Sequence, residues 1–238
     1  MTAPYPAPTF TGPRLDAAII DLDGTMIDTA DDFTAGLNGM LAQLDAEETT
    51  REEVVGYVGK GSEHLIRSVL APRFETGHAQ ERFDEALAIY QAEYAKINGV
   101  HTRLYPDVEA GLRALRDAGL KLACVTNKPH RFALELLQQY GLAQFFGVVL
   151  GGDSLAKKKP DPLPMLTAAA QLGVEPRATV AIGDSENDAL AARAAGMATL
   201  TVPYGYNHGQ PIQTIKSDGI VASLLDAARA IAAHQPTT

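Results

Sequence analysis

The sequence predicts a doubly wound, mainly parallel α/β core that is interrupted early by an all-helical insertion, and three observations carry that reading. From Pro106 onward, short apolar runs alternate with amphipathic helical patterns, which is the pattern of repeated βαβ units. Gly119, Gly141, Gly173 and Gly196 stand where those helical patterns stop, at the position that turns left-handed after a helix. Between Ile27 and about Arg103 only helical periodicity is found.

Taken in order, residues 1–13 are rich in Pro and Thr, lack a basic and apolar signal pattern, and read as a loose leader. Residues 15–20 are a first strand. Helices follow over 31–44, 50–58, 62–70 and 80–97, and Thr50 with Glu53 has capping-box spacing at the second start. The spacing of Val108, Leu112 and Leu115 predicts a helix running to Gly119, then a strand over 120–125. A helix over 132–140, a short strand over 147–150 and a helix through Met165, Leu166, Ala169 and Leu172 come next. A strand over 179–182, a helix over 189–195, a strand over 198–202 and a closing helix over 220–233 complete the chain. The expected division is a Rossmann-like core of residues 14–26 and 104–238, with residues 27–103 as a helical cap. Such an insertion is either a lid that excludes water from a site or a plain extension of the core.

Bulk properties narrow the function. The 238 residues are 46% hydrophobic and 21% charged, ordinary for a globular protein with a sizeable core. No apolar run approaches the roughly 20 residues that span a bilayer. The single cysteine, Cys124, excludes an internal disulfide and reads as a small core hydrophobe in a reducing compartment. A net charge of −9 argues against a nucleic-acid footprint, although the local field of a cleft can still favour a small anion. The expectation is a cytoplasmic protein with no membrane or nucleic-acid partner, acting as a monomer or homodimer.

The chemistry is concentrated at predicted strand ends, where open α/β sheets bind their ligands. The first strand ends in Asp21-Leu22-Asp23-Gly24-Thr25, two carboxylates two residues apart; Asp can attack phosphorus, and carboxylates suit Mg²⁺. The second ends in Thr126-Asn127-Lys128, offering a hydroxyl, an amide and backbone N–H groups beside a helix start. After the third comes Lys157-Lys158-Lys159-Pro160-Asp161-Pro162, and the fourth ends in Gly183-Asp184-Ser185-Glu186-Asn187-Asp188. Each has a plainer reading as a helix cap or a solvated basic run. Four consecutive strand ends offering a nucleophile, an anchor, a cation and metal ligands point jointly to phosphate chemistry. The histidines show no metal-ligand spacing, and neither a GxGxxG nor a Walker loop is present.

The ordered set Asp21-x-Asp23-Gly24-Thr25, Thr126-Asn127, Lys159-Pro160 and Gly183-Asp184-x-x-x-Asp188 resembles the haloacid dehalogenase superfamily of phosphotransferases over nearly the whole chain. A closer resemblance, to bacterial phosphoglycolate phosphatases, lies in the stretches 28–32, 58–61, 125–129 and 202–207. The resemblance implies that Asp21 attacks phosphorus to give an aspartyl-phosphate, while Asp23 alternates as acid and base. It implies Mg²⁺ on the side chains of Asp21 and Asp184 and the main-chain carbonyl of Asp23, with Asp188 supporting the metal or orienting Lys159. Thr126 and Asn127 would bind phosphoryl oxygens, and Lys159 would neutralise charge on nucleophile and phosphate. The acid two residues after the nucleophile sets the chain apart from dehalogenase relatives. In the cap, Lys60 within Gly59-Lys60-Gly61 and Arg67 on the next helix are candidates for a substrate carboxylate. The substrate expected is a small phosphorylated metabolite, 2-phosphoglycolate first. A broader-range phosphatase, a sugar-phosphate mutase and a non-catalytic binding module stay open beside it.

Overall fold

The structure, a computed structural model, describes residues 5–234; the first four residues of the expected leader lie outside that range. A six-stranded parallel sheet runs in the order β5-β4-β1-β6-β7-β8. Its strands are β1 (Ala17–Ile20), β4 (Lys121–Val125), β5 (Val148–Leu150), β6 (Thr179–Gly183), β7 (Ala198–Thr201) and β8 (Gly219–Ile220). Because β1 pairs with β4 on one side and β6 on the other, the winding direction reverses at β1. That reversal opens a crevice at the carboxyl ends of these strands.

Strand alternation sorts the core into two layers. Ala18, Ile20, Leu122, Cys124, Val180 and Ile182 face one layer with α6 (Val108–Asp117), α7 (His130–Gln139) and α10 (Leu224–His234). Ala17, Ile19, Ala123, Val125 and Ala181 face the other, with α8 (Leu163–Leu172) and α9 (Glu186–Ala194). Strands buried on both faces must be apolar at every position, and β1 is buried throughout as Ala-Ala-Ile-Ile. Cys124 is free and fully buried. Gly119, Gly141, Gly173 and Gly196 all take positive φ where helices stop.

Five helices lie between β2 (Ile27–Asp28) and β3 (Arg103–Leu104): α1 (Ala30–Gln43), α2 (Arg51–Tyr57), α3 (Ser62–Leu70), α4 (Thr76–Glu81) and α5 (Phe83–Ile97). They share a separate apolar cluster built from Phe33, Leu37, Ile66, Tyr90 and Tyr94, and Phe132 and Tyr206 of the α/β part join it. Tyr94 meets Phe132 edge-on, with ring centroids 5.0 Å apart, a favoured aromatic geometry. At the start of α2 the capping box is present as expected, with Thr50 and Glu53 each accepting from the other's backbone N–H.

The structure departs from the sequence reading at four places. β2 and β3 form a two-residue antiparallel pair at the base of the insertion, too short to leave an alternating pattern. The helix expected over 80–97 divides, because Gln80 belongs to α4 and α5 begins at buried Phe83. Helix α9 starts at Glu186, three residues early, since Ser185 and Asp188 form a second capping box. The closing helix starts at Leu224: Ile220 extends the sheet against β7, and the Ser223 hydroxyl accepts from Asp226 N–H at 3.2 Å. Among the described residues, no helix is long and apolar enough to cross a membrane.

Candidate active site

Parallel register brings the ends of β1, β4 and β6 side by side. The ladder continues one residue further, with Asp21 N–H donating to Ile182 O at 3.0 Å and Thr126 N–H to Leu150 O at 3.0 Å. The chain then turns at Gly24, φ +83°, where a Cβ would strike the Asp184 carboxylate and the Tyr206 ring. A side-chain-bearing residue there meets both a strained φ and a clash. Gly205 and Gly183 are equally confined, since Cβ atoms there would collide with Asp184 and Asp188 respectively.

Lys159 lies at the centre of this floor. Its neighbours differ sharply from it: Lys157 and Pro160 are exposed and Lys158 is half-buried, whereas Lys159 is buried at 3%. Its Nζ reaches Asp21 Oδ1, Asp188 Oδ1 and Val125 O, each at 2.7 Å. Burial alone would lower its pKa, but Asp188 and Asp21 outweigh that and hold it firmly cationic. The Asp21 contact is an ion pair whose angle leaves this oxygen without an aligned hydrogen bond. Burial raises the Asp21 carboxyl well above the usual range, opposed by Lys159 and reinforced by Asp188 and Asp184.

Asp184 is 2% exposed and is held by Thr25 Oγ1–H at 3.0 Å and Tyr206 N–H at 2.7 Å. Burial first, and Asp188 second, push its pKa up to about 7. Asp188 accepts from Ser185 N–H and Oγ–H on one oxygen and from Lys159 on the other, so both its oxygens are committed. Asp21, Asp184 and Asp188 each bring an oxygen within 4.8 Å of the others. An all-carboxylate donor set with an unaligned Asp21 oxygen and a like-charge penalty on Asp184 fits a hard divalent cation such as Mg²⁺. Asp21, Asp23, Asp184 and Asp188 outnumber the two buried lysines, so fully ionised groups leave a net negative centre.

Asp23 is aligned by two groups on one oxygen, Thr29 Oγ1–H at 2.8 Å and Lys128 Nζ at 3.3 Å. Thr29 is fixed in turn by its N–H on Tyr206 Oη at 2.7 Å. Thr126 Oγ1 accepts from Lys128 N–H, and its own proton has no acceptor among the described residues. The Asn127 amide donates to Gly59 O and Lys159 O, both at 2.8 Å. This side chain therefore ties the insertion's loop to the lysine loop, while its Oδ1 is buried with no partner among the described residues.

A small cavity lies between this floor and a roof that includes Phe33, Val58, Leu65, Tyr90, Tyr94 and Phe132. Gly59, Gly61 and Ser62 border it, but Lys60 and Arg67 do not. Both are exposed and line an outer cleft with His64, Lys157 and Lys158. The Arg67 guanidinium donates to Gln80 at 2.7 Å and lies 3.5 Å over the Phe83 ring. The structure thus gathers Asp21, Asp23, Thr126, Asn127, Lys159, Asp184 and Asp188 and sets Lys60 and Arg67 apart. Sequence reasoning passed over Thr25, Thr29, Ser185 and Tyr206 as positioning groups, and took Lys128 only for its backbone. Thr25 and Lys128 adjoin motif residues, a signal that was there to use.

The pattern of the haloacid dehalogenase-like hydrolase family matches residues 18–202, more than half of the chain. A phosphoglycolate phosphatase of Nitrosospira multiformis is 43% identical over 217 residues, covering 91% of this chain and 96% of its own. That of Thiobacillus denitrificans is 41% identical over 214 residues, covering 90% and 94%. A crystal structure described as a predicted phosphoglycolate phosphatase from Haemophilus somnus superposes with a TM-score of 0.84 at 30% identity, covering 90% of this chain and 97% of that one. The strand-end carboxylates, the buried lysine and these similarities together establish that the chain belongs to the haloacid dehalogenase-like hydrolases and is an enzyme of the phosphomonoester-hydrolysing kind.

Proposed function

We propose that the protein hydrolyses 2-phosphoglycolate to glycolate and phosphate in a Mg²⁺-dependent reaction through an aspartyl-phosphate on Asp21. The observation that carries this reading is the convergence of Asp21, Asp23, Lys159 and Asp184 on one buried floor; the names of the relatives supply the substrate. An Asp21 oxygen forms a bond to phosphorus as the bond to the ester oxygen breaks. Asp23 delivers its proton to the departing alkoxide, so glycolate leaves with its hydroxyl restored. The same carboxylate then takes a proton from the water that attacks the phosphorus of the aspartyl-phosphate, releasing inorganic phosphate and regenerating both groups. Lys159 balances charge on nucleophile and phosphoryl group throughout, and the free proton of Thr126, with the Asn127 loop, suits phosphoryl oxygens. The Asp21 and Asp184 carboxylates and the Asp23 main-chain carbonyl would hold Mg²⁺, which would supply positive charge to offset repulsion between an anionic nucleophile and an anionic substrate.

In this reading residues 27–103 act as a cap over a core of residues 14–26 and 104–238, and the aromatic roof keeps water from the aspartyl-phosphate until glycolate has left. The test is inorganic phosphate release across small phosphate esters with and without Mg²⁺. Strong preference for 2-phosphoglycolate is expected, together with a loss of at least about a thousandfold in Asp21→Asn. Comparable rates on many esters would overturn the substrate assignment and keep the chemistry; undiminished turnover in Asp21→Asn would sink the covalent mechanism.

A further inference from the structure

Two lysines are buried at the site, and they are bonded very differently. Lys159 has all three of its ammonium contacts at 2.7 Å and is fully committed to the floor. Lys128, whose side chain is 1% exposed, has one short hydrogen bond, to Tyr94 Oη at 2.6 Å, and a long contact to Asp23 Oδ1 at 3.3 Å. An ammonium has three donors, and among the described residues the third has no acceptor. Its Nζ sits 4.3 Å from the Phe33 ring centroid and 4.7 Å from that of Tyr94, and the residue borders the cavity. The Asp23 carboxylate and the two ring faces offset part of the cost of burying this cation, and the third donor remains for an acceptor, best an anionic one, in the cavity.

We propose that Lys128 recognises a second anionic group on the substrate, a carboxylate close to the scissile phosphate ester, and so restricts the enzyme to small carboxylated phosphomonoesters. The proposal rests on the reading of the site as a phosphatase and adds the residue that selects among esters. One free donor suits one carboxylate, and the apolar neighbours Phe33, Leu65 and Tyr90 offer a bulkier polyhydroxylated ligand few partners. A neutral group in the same place would leave the ammonium with the long Asp23 contact as its one charged partner, and a polar site discriminates against an analogue that lacks the group it is built to meet. Arg67 is already engaged by Gln80 and Phe83, so Lys128 is the better-placed cation.

The experiment compares kcat/KM for 2-phosphoglycolate with that for its neutral isostere, O-phosphoglycolamide, in the wild type and in Lys128→Met. The wild type is expected to favour the acid, and Lys128→Met to shrink that ratio at least about thirtyfold, chiefly through KM for the acid, as for deletion of one partner of a buried charge pair. A parallel loss on both esters that keeps the ratio would overturn the proposal and leave Lys128 as a group that only aligns Asp23. If the variant does not fold, inhibition of the wild type decides: phosphonoacetate is expected to bind more tightly than phosphonoacetamide, and equal inhibition would refute the proposal. Phosphate release from neither ester would instead refute the phosphatase reading beneath it.

Discussion

The floor and roof of the cavity are built on opposite principles. On the floor Asp23, Asp184, Asp188 and the Lys159 ammonium are each held by two or three partners, Asp21 is paired with Lys159, and the backbone is fixed by sheet hydrogen bonds and confined glycines. The roof is a packed apolar surface of helices, and Lys128, a core residue that reaches up into it, keeps a free donor. Electrostatic preorganisation needs a rigid frame, whereas an enclosing surface needs shape and dryness more than fixed charges. The comparison implies that changes to the floor damage both chemistry and the stability of the charge cluster, while changes to the roof act on stability or substrate choice alone.

The sharpest way to break that comparison is Lys159→Met. It leaves Asp21 and Asp188 facing each other without the cation between them, so a loss of about 3–5 kcal/mol is expected in EDTA, the range for removing one partner of a buried pair. Turnover should fall with it. Chemical denaturation measures the first quantity and phosphate release the second; an unchanged denaturation midpoint would mean that the floor is not braced by charge.

Metal addition gives the next effect. With the Asp21 and Asp184 carboxyls raised, the folded state holds protons more tightly than the unfolded chain. The sign follows: in EDTA, stability should fall as pH rises from the ordinary carboxylate range through about 7, where Asp184 ionises. Mg²⁺ should reverse this, adding about 1.4 kcal/mol for each tenfold excess over its dissociation constant. Thermal melts at pH 5 and pH 8, with EDTA or Mg²⁺, check both halves, and Asp184→Asn should remove most of the Mg²⁺ gain. A melting temperature indifferent to Mg²⁺ at pH 8 would remove the metal from the floor.

Most of the floor was legible in the sequence because a parallel sheet turns periodicity into position. Once apolar runs locate the strands, their ends are known to converge, and Asp21, Thr126, Lys159 and Asp184 follow as neighbours without any knowledge of distances. β2, β3 and β8 were not legible, because two residues carry no alternation. Nor was the direction of a loop side chain: Gly59-Lys60-Gly61 does pass the cavity, yet its glycines face inward and Lys60 outward. Lys128 was missed for a different reason. Its environment is assembled from Phe33 on α1 and Tyr94 on α5, remote in sequence, and aromatic residues on an amphipathic helix read only as core.

The smallest expected effect tests the roof's half of the comparison. Thr50→Ala deletes the hydroxyl that accepts from Glu53 N–H at 3.2 Å, with an expected cost of about 1 kcal/mol for a lost cap. Glu53 itself should stay in place, since Thr49 Oγ1–H at 2.6 Å and Arg73 at 2.9 Å still hold its carboxylate. Helix α2 would therefore fray at its first turn without shifting the roof, and kcat and KM should stay near wild type while the melting temperature drops. Thr50→Ser, which keeps the hydroxyl, should restore it. The informative failure is a rise in KM matched to the loss of stability. Val58, one residue beyond α2, borders the cavity, and Gly59 O accepts from both Asn127 and Asn187. A KM effect would mean that this contact passes strain from the helix start to the floor, so that the roof's position, and not only its dryness, is part of the chemistry.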